Sequence, residues 1–253
     1  MKKSNIAAQL YTLREFLKTP EDIEQTLRKV KAIGYEAIQV SGMGPIDPEK
    51  LKQLADEIGL TICATHIPYD RLKNDLPAVV AQHQLWNCRY IGLGSMPSDY
   101  RTDKEGYVRL AKEFSEVGAE LAKHDLQFIY HNHKFEFEKF EGQVGMDILA
   151  NESDSSNFGF ELDTYWVHAG GANPVDWINK VGSRMKVVHL KDMAIVKDQQ
   201  VFAEIGEGNL DWPAIIDACR STGVEWYVVE QDACLRDPFE SLTISYNYLS
   251  KLL

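Results

Sequence analysis

The sequence predicts an α/β protein, a single (β/α)8 TIM barrel spanning residues 1–253, and three observations carry that expectation. Eight short β-like runs alternate with longer amphipathic stretches. The stretches carry helix start and stop signals. Polar or ionisable side chains gather at the ends of the apolar runs. Parallel strands need a crossover, usually a helix, and eight such units in about this length suit a closed barrel. A doubly wound open sheet is the runner-up, but no run is followed by a GxGxxG or P-loop pattern.

The runs are residues 5–11, 36–42, 61–67, 89–94, 126–133, 158–163, 185–192 and 225–232. After the first comes "TPEDIEQTLRKVKAIG", with Thr19 as N-cap, Pro20 opening the helix, acids in the first turn and Gly34 past the end. "DPEKLKQLADEIG" repeats the device with Asp47, Pro48 and Gly59. In residues 102–125, Val108, Leu110, Phe114, Val117 and Leu121 follow helical spacing. "NPVDWINKVG" and "DWPAIIDACRSTG" predict short Gly-terminated helices, and "DPFESLTISYNYLSKLL" predicts a last one.

With 44% hydrophobic and 26% charged residues, the chain has a globular composition. Its net charge of −11 argues against nucleic acid and against anionic membrane surfaces. No stretch reaches the roughly 18–20 apolar residues of a membrane span. Lys2 and Lys3 precede an apolar run, but Gln9 interrupts it and no small-residue cleavage site follows, so a strand is expected rather than a leader. Cys63, Cys88, Cys219 and Cys234 form no CxxC pair, which suits reduced structural thiols and a cytoplasmic location.

In a barrel of this kind, chemistry gathers at the C-terminal strand ends. Those ends carry Gln9, Tyr11, Gln39, His66, His131, His133, Glu161, Asp163, His189, Lys191, Glu230 and Asp232. Burying such groups is costly unless they are paired or bind something. Two histidines, His131 and His189, with two carboxylates, Asp163 and Glu230, make a divalent-metal site. The mixed set suits Mn²⁺ first, with Co²⁺, Fe²⁺, Zn²⁺ and Mg²⁺ as alternatives.

From "AAQLYTLR" through "ATHIP", "YHNHKFEF", "GFELDTYWVHAGG", "VVHLKD" and "GEGNLDW" to "YVVEQD", the chain resembles the xylose isomerase-like TIM barrel superfamily. The likeness is to its sugar phosphate isomerase/epimerase branch. That resemblance implies one divalent cation held by Glu, Asp, His and Glu from strands five to eight. The last three fall on Asp163, His189 and Glu230. Strand five departs from the pattern, with His131 in place of Glu, and its "YHNH" form is similar to the inosose dehydratase side of the superfamily.

The implied function is a metal-dependent sugar or keto-sugar isomerase or epimerase. It would remove a proton next to a carbonyl through a metal-stabilised enediolate. The alternative is a dehydratase-type lyase on a keto-sugar or cyclitol. Further readings are an apurinic endonuclease relative and a sugar-binding barrel without turnover. Glu230 is assigned as ligand and general base, with His133 or Glu136 as acid on the other face. His66, Gln9, Lys191, Trp166 and Glu207 are expected at the substrate, with Tyr11 and Trp212 as further aromatic candidates for the wall. The expected partner is a small sugar, keto-sugar or cyclitol, without nucleic acid or membrane, and a homo-oligomer is compatible.

Overall fold

A computed structural model describes residues 5–253, so the Lys2–Lys3 pair lies outside the described residues. The first five strands are β1 (Ile6–Gln9), β2 (Ala37–Val40), β3 (Thr61–His66), β4 (Tyr90–Leu93) and β5 (Gln127–His131). A small hairpin follows, β6 (Lys139–Phe140) and β7 (Gln143–Val144), then β8 (Phe158–Asp163) and β9 (Met185–Leu190). A second hairpin, β10 (Asp192–Val196) and β11 (Gln199–Ala203), precedes β12 (Trp226–Val229). Eight of these strands close into a parallel barrel in the order β1–β2–β3–β4–β5–β8–β9–β12. Every one of the eight predicted runs is a barrel strand.

The helices are α1 (Pro20–Ile33), α2 (Pro48–Ile58), α3 (Tyr69–Asn74), α4 (Leu76–Trp86) and α5 (Lys104–Ala122). They continue with α6 (Gly145–Glu152), α7 (Thr164–Ala169), α8 (Pro174–Val181), α9 (Trp212–Thr222) and α10 (Pro238–Leu252). Thr19 and Asp22 form a reciprocal capping box at the start of α1, a device worth about 1 kcal/mol. Asp47, Asn173, Asp211 and Asp237 each cap a helix with proline at its first or second position. None of the helices among the described residues is long and apolar enough to cross a membrane.

Strand alternation sorts the side chains. Phe128, Tyr130, Phe158, Phe160, Val188 and Leu190 face the helix layer and join the main core. Ala7, Ala37, Cys63, Tyr90, Ile129, Val187 and Val228 fill the lumen. That apolar floor carries the polar mouth above it, since the next inward position on β5 is His131, on β9 His189 and on β12's extension Glu230.

Seven of the eight barrel strands are shorter than predicted, β8 alone matching its run, and the site depends on that. β1 stops at Gln9 and the chain turns into a 3-10 helix over Leu10–Phe16, so Tyr11 sits on a helical turn rather than a strand. β5 stops at His131, placing His133 in the loop beyond. β9 stops at Leu190, and Asp192 opens the β10–β11 hairpin.

Candidate metal centre

Four ligand-type atoms converge at the mouth of the barrel, and each has a local reason for its position. The β5 register sets His131 beside Glu161 of β8, and the β8 register sets Asp163 beside His189 of β9. His131 points its Nδ1–H to the Gly94 carbonyl at 3.1 Å, which directs Nε2 into the mouth. Asp163 divides its carboxylate. Oδ1 accepts the Trp166 N–H at 2.9 Å and caps α7, while Oδ2 faces the other side chains. Capping and ligand-type positions therefore fall on different oxygens of one residue.

His131 Nε2 lies 3.4 Å from Asp163 Oδ2 and 4.0 Å from Glu230 Oε2. His189 Nδ1 lies 3.0 Å from Glu230 Oε2 and 3.9 Å from Asp163 Oδ2. Ligand atoms about 2.1 Å from one ion stand roughly 3.0–3.4 Å apart when adjacent. All four residues are buried. His131 Nε2 and Asp163 Oδ2 have no hydrogen-bond partner although they are fully buried. Leaving such atoms unmet is expensive, and an ion bound here would meet both at once. The residues fit a divalent cation.

Lys191 enters the same cluster. Its ammonium lies 2.5 Å from Asp232 Oδ2, 2.8 Å from Glu230 Oε2 and 2.9 Å from Asp163 Oδ2. The last approach pairs charges but lies off hydrogen-bond geometry, so Asp163 Oδ2 still has no donor. Burial would lower the Lys191 pKa, but the three carboxylates raise it above the usual lysine range. Burial works against the charged forms of Asp163 and Glu230 too, and the Lys191 charge holds both below the usual carboxylate range. Asp232 goes the other way: burial and the neighbouring Glu230 push it up.

Behind the four atoms lies a second chain of contacts. His189 Nε2 sits 2.6 Å from Gln39 Oε1 and 3.2 Å from Glu161 Oε1. Glu161 accepts from Gln39 Nε2 at 2.9 Å and is 2.6 Å from His66 Nε2. Burial lowers the His66 pKa, whereas burial of His189 is outweighed by Glu161 and Glu230, which raise it to about 10. Asp163, Glu230 and Asp232 thus surround a single lysine, with Glu161 behind His189, and the mouth carries surplus negative charge that a cation would offset.

A cavity of about 400 Å³ opens over this cluster, lined on the ligand side by His131, His133, Glu230 and Asp232. The opposite wall includes Tyr11, His66, Pro68, Tyr69, Leu93 and Ser95. Gly94 makes room for the His66 ring, since a Cβ there would stand 2.7 Å from His66 Nδ1.

Of the residues expected at the substrate, His66 lines the cavity. Trp166 lies close by, its ring 5.5 Å from that of His133 and 5.4 Å from Lys191 Nζ. Gln9 is fully buried, with Oε1 accepting from the Tyr11 N–H and Nε2 unpartnered.

Three expectations are corrected. Glu136 is buried on the outer side of β5, where it accepts from Tyr130 Oη at 2.6 Å and from the His133 N–H at 2.8 Å. Burial raises its pKa to about 7, yet its two oxygens clamp the loop and it does not line the cavity. Glu207 is exposed and pairs with Arg236 at 3.1 Å, because its loop wraps around Asp192 rather than over the mouth. Trp212 is buried at the start of α9 with Nε1 donating to Asp192 Oδ2 at 2.6 Å, so it forms no wall. His133, proposed as an acid, lines the cavity from the loop beyond β5, and burial lowers its pKa to about 3.

Sequence reasoning underrated Asp232 and Gln39. Asp232 shares the face of Glu230 two residues on, a signal that was present. Gln39 was visible only as a polar strand end.

These features define a closed barrel with a metal-type donor set at its mouth. Residues 27–238 match the model of the xylose isomerase-like TIM barrel family. The chain belongs to that family. It is 24% identical to an inosose dehydratase of Lacticaseibacillus casei, covering 89% of this chain and 88% of the relative. A solved sugar phosphate isomerase/epimerase from Parabacteroides distasonis superposes with a TM-score of 0.82 at 21% identity, covering 98% of this chain and 94% of that one. An L-ribulose 3-epimerase superposes with a TM-score of 0.73 at 15% identity, covering 98% and 93%. The relatives are enzymes with different named reactions.

Proposed function

We propose that the protein is a divalent-metal-dependent enzyme that removes the proton beside the carbonyl of a small, uncharged keto-sugar or cyclitol ketone. The observation that carries this reading is the convergence of His131, Asp163, His189 and Glu230 with two ligand atoms left unmet. When bound, an ion of the Mn²⁺ class would act as a Lewis acid on a carbonyl and a neighbouring hydroxyl oxygen, making the adjoining C–H more acidic. His131, Asp163, His189 and Glu230 would hold it. None of the residues lining the cavity is Lys or Arg, and Lys191 is already engaged by three carboxylates. That lining favours a neutral polyol over a sugar phosphate.

Glu230 accepts the proton on its carboxylate. The Lys191 ammonium stands 2.8 Å from Glu230 Oε2 and favours its charged form. In an elimination, the electrons of the broken C–H bond form a C=C bond, the β-carbon–oxygen bond breaks, and the hydroxyl leaves as water with the proton that Glu230 took up. The placement of charge favours this completion. The carboxylates lining the cavity, Glu230 and Asp232, follow β12, while β3, β5 and the loop after β5 present His66, His131 and His133. Epimerisation would need a proton donor on that imidazole side, where burial lowers the His133 pKa to about 3. Isomerisation or epimerisation is the second reading, favoured by His66, which lines the cavity with Glu161 behind it.

The test is incubation with Mn²⁺ and a panel of keto-sugars and cyclitol ketones in D₂O. Deuterium beside the carbonyl or loss of one water supports proton abstraction, and product mass separates rearrangement from elimination. No exchange and no product across the panel, with the metal bound, would contradict it.

A further inference from the structure

His189 offers two ring nitrogens, and only the neutral imidazole's lone pair can bind an ion. Which nitrogen is free depends on what the other one meets. Its Nε2 points at Gln39 Oε1 at 2.6 Å, and Gln39 Nε2 donates to Glu161 Oε1 at 2.9 Å. The amide has one correct orientation here. Flipped, it would set its NH₂ against His189 Nε2–H and its carbonyl oxygen against a carboxylate. Gln39 is fully buried and lies on β2, three strands away from β9 around the barrel, so it reaches His189 across the lumen. His131 is arranged the opposite way, with Nδ1 on the Gly94 carbonyl and Nε2 open.

We infer that Gln39 is a positioning residue that keeps the proton of His189 on Nε2 and presents Nδ1 to a divalent ion. The inference rests on the proposed metal role of His189. Through Glu161 the same amide ties the ligand to His66, which lines the substrate cavity.

Two measurements test this. In ¹⁵N NMR of the Zn²⁺-loaded protein, His189 should show a protonated Nε2 and a metal-bound Nδ1. Titration with Mn²⁺ should show Gln39→Met, which is similar in length and lacks both hydrogen bonds, binding roughly 10–100-fold more weakly, the range typical of lost outer-sphere partners. A proton on Nδ1 in the wild type overturns the inference, as does Gln39→Met binding Mn²⁺ as tightly as wild type. Wild-type protein that binds no ion overturns the proposed function itself, and this role for Gln39 with it. The NMR readout needs no variant, so it decides even if Gln39→Met fails to fold.

Discussion

Two buried histidines in different regions show how this molecule separates structure from chemistry. Behind β3, His83 of α4 uses both ring nitrogens, with Val79 O at 2.7 Å and Thr65 Oγ1 at 2.8 Å. In the mouth, His131 uses one nitrogen on Gly94 and leaves the other unmet. Both are buried. Burial alone therefore does not mark a functional histidine. The unmet atom sets His131 apart from His83, and under the proposed metal role an ion would complete both His131 and Asp163.

The largest expected effect breaks the mouth and spares the shell. Asp163→Asn keeps a side-chain oxygen for the α7 cap but loses the charge on Oδ2. Mn²⁺ affinity should fall on the order of 100-fold or more and turnover with it, while the melting temperature of the metal-free protein stays near wild type. Calorimetric titration and a thermal melt check both halves.

The shell gives the next effect. Burial lowers the His83 pKa to about 4, below an unfolded value of about 6.5. A depressed histidine is neutral in the fold, so its contribution to stability is complete above about pH 6.5 and is lost as the pH falls toward 4. The loss should approach about 3 kcal/mol. Denaturant melts across that window should show it, and His83→Gln should flatten the curve.

Mn²⁺ should stabilise the wild type by about 2.7 kcal/mol at a hundredfold excess over its dissociation constant. For a chain of this size that is roughly 5–10 °C in melting temperature. Asp163→Asn should gain little. The smallest effect is expected at Glu207, which pairs with Arg236 in solvent. Glu207→Gln should leave kcat/KM within about twofold, as exposed pairs contribute little.

The barrel was largely legible from sequence because alternation and helix caps are local. Thr19–Pro20, Asp47–Pro48 and Asn173–Pro174 announce helices without tertiary help. The β10–β11 hairpin was not read, since Lys197 and Asp198 adopt positive φ at its turn where Asn-Gly or Asp-Gly would have signalled it. Helix α4 escaped for a different reason. Its apolar residues do not form a single stripe: Val79, Val80 and Trp86 are buried while Leu85 is exposed.

At the site, His131, Asp163, His189 and Glu230 were legible because each ends an alternating run. Glu136 was not, because its partner Tyr130 faces the opposite side of β5 and the loop must fold back to reach it. Gln39 contacts a residue 150 positions away, and no local pattern encodes that contact.

The most direct test is anomalous diffraction from crystals grown with Mn²⁺. One ion per chain is expected, about 2.0–2.3 Å from His131 Nε2, Asp163 Oδ2, His189 Nδ1 and Glu230 Oε2. An ion held elsewhere, several ions, or these four side chains turned apart around an empty mouth would contradict the account.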